Sequence, residues 1–154
     1  MSGLAFSRLV AMWSDRDGYR QATDLAEKHR DLLGRRLSPA RLNGLLNAVA
    51  AAAAPAEVQA FVRHQVDNAG RREEPDLRQY WLEVGIALRG LEEEANRLAT
   101  LLGEPAQDAV AVEEMHLQLI RRFVQHLVVH SLYLRECETA DRRARDQRAT
   151  QRRR

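Results

Sequence analysis

"LRQYWLEVGIALRGLEEEANRLATLL", residues 77–102, is the stretch that decides the fold. Leu77, Trp81, Val84, Leu88, Leu91, Ala95, Leu98 and Leu102 recur at alternating spacings of four and three. That rhythm keeps an apolar seam on one side of a helix through almost four heptads. Such a seam needs a close helical neighbour, either within the chain or in a second copy. Gly85 and Gly90 lie beside it and permit a close backbone approach. Glu92, Glu93 and Glu94 read as the solvated face opposite. Gly103 and Pro105 stop the helix.

Working upstream, Gly70 and Pro75 bracket a short polar connection, with Gly70 read as the end of the preceding helix. That helix places Val58, Phe61, Val62 and Val66 on its inner face. "LSPARLNGLLNAVAAAAAP" (37–55) starts another, with Ser38 as N-cap, Pro39 at the first helical position and Leu42, Leu45, Leu46 and Val49 as the buried stripe. Pro55 either ends it or starts the next. A first helix is expected over residues 3–13. Ser14 and Asp17 then resemble a capping box for a second helix that carries Tyr19, Ala22, Leu25, Ala26, His29, Leu32 and Leu33 and ends near Gly34, with Arg35 and Arg36 at its negative pole.

Downstream, a last helix from about residue 107 to 140 is apolar around much of its circumference, including Leu117, Leu119, Ile120, Phe123, Val124, Leu127 and Val128. A helix of that kind belongs at the centre of a bundle or at an interface. No segment alternates as a strand does. The expectation is an all-α, compact bundle of five to six helices, forming a single domain over residues 1–140.

Residues 141–154 form an Arg-rich tail, expected to be a disordered extension, with a nucleic-acid arm as the sharper alternative. From Arg135 to Arg154 eight arginines face four acids, so this end carries +4 of the net +2 and the rest of the chain is −2. The basic character therefore belongs to the tail. The composition, 45% apolar and 30% charged, argues against both disorder and a membrane protein. The longest uncharged run, Leu42 to Ala56, is too short to span a bilayer. The N-terminus lacks the pattern of a signal peptide, and the single Cys137 fits a reducing compartment, so a cytoplasmic location is expected.

Catalytic signatures are absent: there is no phosphate-binding glycine loop, no GxSxG, no HExxH and no cysteine pair. The expectation is a protein that is not an enzyme and uses neither cofactor nor metal. Glu113 and His116 make one Glu-x-x-His, but a di-iron bundle requires a second such pair. His126 and His130, four apart, have no third ligand at a suitable spacing and read as polar contacts. Arginine is left as the carrier of function. Arg63 and His64 precede Gly70, Arg71 and Arg72 follow it, Arg78 opens the seam helix, and Arg121 and Arg122 sit on the last helix. Brought onto one face they would grip a phosphate backbone without reading sequence. Scattered, they are surface charges paired with glutamate.

Three segments, in order, resemble the small subunit of type III CRISPR–Cas effector complexes, most closely of the III-A kind. "LSPARLNGLLNAV" (37–49) resembles that family's opening helix. "VDNAGRRE" (66–73) is similar to its apolar-Tyr-Gln-Ala-Gly-Arg segment, with Ala69, Gly70 and Arg71 matching directly. "RRFVQHLVVHSLYLRE" (121–136) is similar to its aromatic closing helix through Phe123, Leu127, Val128 and Tyr133. The match covers roughly residues 37–136. Asn43, Asp67, Asn68, Gln125 and His130 depart from the family pattern, as in a divergent member.

The resemblance implies a non-catalytic protein for antiviral defence that lines up with copies of itself along a ribonucleoprotein complex. Its partners would be the target strand, the guide–target duplex and other effector subunits. Arg41, Arg63, Arg71, Arg72, Arg121 and Arg122 would be the RNA-binding contacts. Two other readings compete. One is a helical dimerisation or adaptor module built on the 77–102 seam, with no nucleic-acid role. The other is a helix-turn-helix regulator centred on "RRLSPARLNGLL", whose second helix has few base-reading side chains beyond Arg41, Asn43 and Asn47.

Overall fold

The computed structural model describes residues 3–103 and 108–153. Six α-helices follow in order: α1 (Gly3–Trp13), α2 (Tyr19–Lys28), α3 (Pro39–Ala51), α4 (Pro55–Arg71), α5 (Pro75–Leu101) and α6 (Ala109–Arg152). No strand occurs among the described residues, so the chain is the all-α bundle its periodicity predicts. No described helix is long and apolar enough to cross a membrane.

The capping box expected at Ser14 does not form. A π-turn over Ser14–Gly18 carries the chain from α1 into α2, and Trp13 and Gly18 both keep helical dihedrals. Two contacts explain the difference. Ser14 is buried and its hydroxyl is hydrogen-bonded to His126 Nε2 on α6 at 2.9 Å, so it does not cap its own chain. Gly18 lies directly under the Trp13 indole, where a Cβ would stand 2.7 Å from the ring. A second π-turn, Leu32–Arg36, closes the N-terminal layer after α2. It carries the expected Arg35 and Arg36 at its end, and Arg35 pairs with Glu138 of α6 at 2.9 Å.

Local chemistry sets the boundaries of α3 as the sequence indicates. Ser38 is extended and its side chain accepts from the Arg41 amide at 3.3 Å, with Pro39 following. Pro55 starts α4. At the other end of α4, Gly70 is not the terminator: the helix runs one residue further, to Arg71. The left-handed position falls on Glu73, with φ of 54°. Glu73 donates to the Gly70 carbonyl (3.2 Å) and Glu74 to the Ala69 carbonyl (3.0 Å), the paired closure that usually employs glycine. The Arg78 side chain passes over Gly70, where a Cβ would meet it at an ordinary contact of 3.7 Å.

The seam of α5 is buried inside the chain. Leu77, Trp81, Val84, Leu88, Leu91, Ala95 and Leu98 are all in the core, and α5 packs chiefly against α4 and α6. The dimerisation reading built on that seam therefore loses its surface. α6 is the hub, touching α2, α3, α5 and both π-turns. Phe123, Val124 and Leu127 are fully enclosed. His116 is buried with Nε2 2.7 Å from the Leu88 carbonyl, and no metal-holding cluster exists among the described residues.

One element departs from expectation at large scale. The Arg-rich segment, expected as a disordered tail from residue 141, is helical as far as Arg152 and continuous with the core part of α6. No Gly or Pro interrupts the chain after Pro105, and Arg, Ala, Gln and Asp dominate the segment. Arg, Ala and Gln all sustain a helix once it has been started by a packed one.

Candidate nucleic-acid interface

The C-terminal end of α4 brings together part of the expected arginine set. Arg41 of α3 and Arg72 line one small cleft of about 140 Å³ with Gln65, Asn68, Ala69 and Leu77. The Ser38–Pro39 start of α3 places Arg41 in the first turn, half-buried and directed at the α4–α5 turn. Its guanidinium is 3.9 Å from Glu74, a loose pair. Arg71 is exposed and hydrogen-bonds Asn68 on its own helix. Arg72 is the C-cap residue of α4 and is exposed. Arg78 crosses over Gly70 beside them.

The electrostatics of this end are mixed. The unsatisfied carbonyls of α4 make its C-terminus partly negative, so Arg71 and Arg72 stabilise the helix whatever else they do. Glu73 and Glu74 were the natural candidates to neutralise both arginines. Glu74 reaches only Arg41, and Glu73, exposed at the left-handed turn, makes no ion pair among the described residues. Arg63, Arg72 and Arg122 have no carboxylate within ion-pair distance among the described residues. Exposed guanidinium groups in that condition can donate bidentately to phosphate oxygens.

The other expected residues lie elsewhere. Arg63 is exposed on α4, eight residues before Arg71 and so about 12 Å along the helix axis. Arg121 is a correction. It is half-buried and donates from Nη2 to the Ala52 carbonyl at 2.9 Å and from Nε to Val49 at 3.4 Å, closing the far end of α3. Its guanidinium is engaged by the fold rather than offered to a ligand. Arg122 lies in a groove between α1 and α6 with Phe6, Ser7, Glu114 and Gln118, apart from the α3–α4 cleft. The six residues thus divide into a cleft pair with Arg71 beside it, an outlying Arg63, a structural cap and a separate groove.

Histidines fasten the N-terminal layer. His126 meets Ser14, His130 meets Glu27 at 2.9 Å, and His29 meets Glu83, which also pairs with Lys28. Burial alone would raise the Glu83 carboxyl, but hydrogen bonds from Lys28 and His29 outweigh it and hold it below its ordinary value. The partly buried polar role expected of His126 and His130 is what the structure shows. A larger hollow of about 480 Å³, lined by Gln59, Arg89, Glu92, Asn96, Glu113 and His116, was not foreseen. Its residues come from three helices, with no spacing to reveal it.

The fold and site define a helical bundle with a polar, arginine-edged cleft. No family model, no curated protein and no solved structure matches this chain.

Proposed function

We propose that this protein is a non-catalytic small subunit of a type III CRISPR ribonucleoprotein, holding target RNA or the guide–target duplex by its backbone. The observation that carries the reading is the convergence of Arg41 and Arg72 on one cleft beside exposed Arg71, at the helix end where Ala69-Gly70-Arg71 resembles the family segment. A helper of that kind needs only electrostatic, shape-level contact, because the guide supplies sequence through base pairing. The α3–α4 cleft offers cations without base-reading depth. Arg63 lies on another side of α4 from the cleft, Arg121 serves the fold and Arg122 faces a different groove.

Co-expression with the other effector subunits and a guide tests the reading. The protein should co-purify with the complex, and Arg71→Glu/Arg72→Glu should reduce retention of target RNA while leaving the thermal midpoint of the isolated protein within a few degrees of wild type. Failure to enter the complex would sink the assignment. Full RNA retention by the double variant would sink the proposed grip.

A further inference from the structure

The exposed C-terminal end of α6 holds charge that the cleft does not use. Every residue from Thr139 to Arg153 is exposed, and none is apolar beyond alanine. Six arginines stand against Asp141 and Asp146, a net charge of +4 with no lysine. At helical pitch Arg142, Arg145, Arg148 and Arg152 fall within about a third of the circumference. Arg145, Arg148 and Arg152 are about 4.5 and 6 Å apart along the axis. Asp141 shares that face. Arg145 contacts Glu138 at 3.4 Å, and Glu138 is itself held by Arg35. Arg142, Arg148 and Arg152 have no ion-pair partner among the described residues.

This face fits one class of partner. A protein partner would find arginine here without the aromatic and aliphatic neighbours that form the desolvated core of most interfaces, so this surface favours it less. Stable anchoring at a membrane would need an apolar face or a lipid chain beside the charge, and the segment has no apolar face. A phosphodiester backbone needs only fixed cations, and guanidinium groups suit it best. We infer that the arginine face of α6, Arg142 to Arg152, is a second RNA-backbone contact, separate from the α3–α4 cleft. It rests on the reading that the protein serves an RNA, and it adds a site that the resemblance does not cover, since the matched region stops near residue 136. The segment is too short to be stably helical alone. Its helix is propagated from the packed part of α6, which presents the arginines in a fixed array before RNA arrives.

The test uses the full chain and an RNA duplex of about 20 base pairs, titrated by fluorescence anisotropy between roughly 50 and 200 mM salt. Arg145→Gln/Arg148→Gln/Arg152→Gln preserves helix propensity and touches no buried contact, so its thermal midpoint should match wild type. It should weaken binding on the order of tenfold at the lower salt and reduce the salt slope by about 2–3. The parallel triple variant Arg41→Gln/Arg71→Gln/Arg72→Gln separates the two sites. Loss in the cleft variant with none in the α6 variant overturns this inference and leaves the proposed function standing. Loss in the α6 variant alone supports the inference and removes the cleft from the function. α6-dependent preference for a DNA duplex of the same sequence, or α6-dependent self-association without RNA binding, also overturns it.

Discussion

From Ala111 to Leu134, α6 buries thirteen residues against the rest of the bundle; from Thr139 to Arg153 it buries none. The backbone is continuous across both parts, yet different forces hold them. The first part carries a mixed apolar surface enclosed on several sides, so its helicity is a by-product of tertiary packing. The second is sustained by intrinsic propensity and by attachment to the first. A single helix can thus serve as core at one end and as exposed charge at the other, with packing and surface charge carried by different residues.

Mutations can break or sharpen that contrast. Phe123→Ala, in the enclosed part, should cost about 3–5 kcal/mol by chemical denaturation, which is enough to leave a marginal bundle largely unfolded. A loss below about 1 kcal/mol would mean that α6 is not the centre of the core. Arg121→Ala should cost about 1–3 kcal/mol, because it strips the end of α3 of the donor to Val49 and Ala52. If Arg121→Lys restored all of that stability, the forked geometry would be irrelevant.

Ala144→Gly, in the exposed part, should cost about 1 kcal/mol of local helix stability. It should lower helical circular dichroism slightly and leave the global thermal midpoint where it was. A shift of the midpoint would show that the exposed part is coupled to folding. The smallest effect concerns the border between α6 and α2. Hydrogen bonds from Arg30 and His130 hold the Glu27 carboxyl below its ordinary value. A depressed carboxyl stabilises the fold above the ordinary carboxylate range, and that contribution is lost as pH falls through its lowered value. Glu27→Gln should therefore be slightly less stable than wild type at neutral pH, and the two should converge in acid. A gap that stays constant in acid would remove the ion pair as its cause.

Much of this was legible where local chemistry and burial agree. The four-three spacing of Leu77–Leu102 marked a buried helix because every seam position meets α4 or α6 or the core between them. Ser38–Pro39 marked a helix start because cap and ring act within one turn. Misreadings arose where a distant residue decided the outcome. Ser14 looks like a cap until His126, 112 positions away in sequence, takes its hydroxyl. Gly70 looks like a stop, but the left-handed turn falls on Glu73, a residue that sequence patterns rarely place there. The site was less legible than the fold. Arg121 and Arg122 are neighbours in sequence, yet one closes α3 and the other faces α1. Successive helical residues point about 100° apart, so adjacency along a helix separates side chains rather than gathering them.

The unbroken path of α6 from Ala109 to Arg152 also sets a phase. Its exposed arginines have their azimuth fixed by the register of Phe123 and Leu127 in the core, like marks on a shaft keyed at one end. Inserting one residue between Leu134 and Thr139 would turn the whole array by about 100° and advance it by about 1.5 Å. Inserting seven would return it to within about 20° of its original bearing, one heptad further out. The direction in which the charge points is therefore written in the length of the segment that joins it to the bundle.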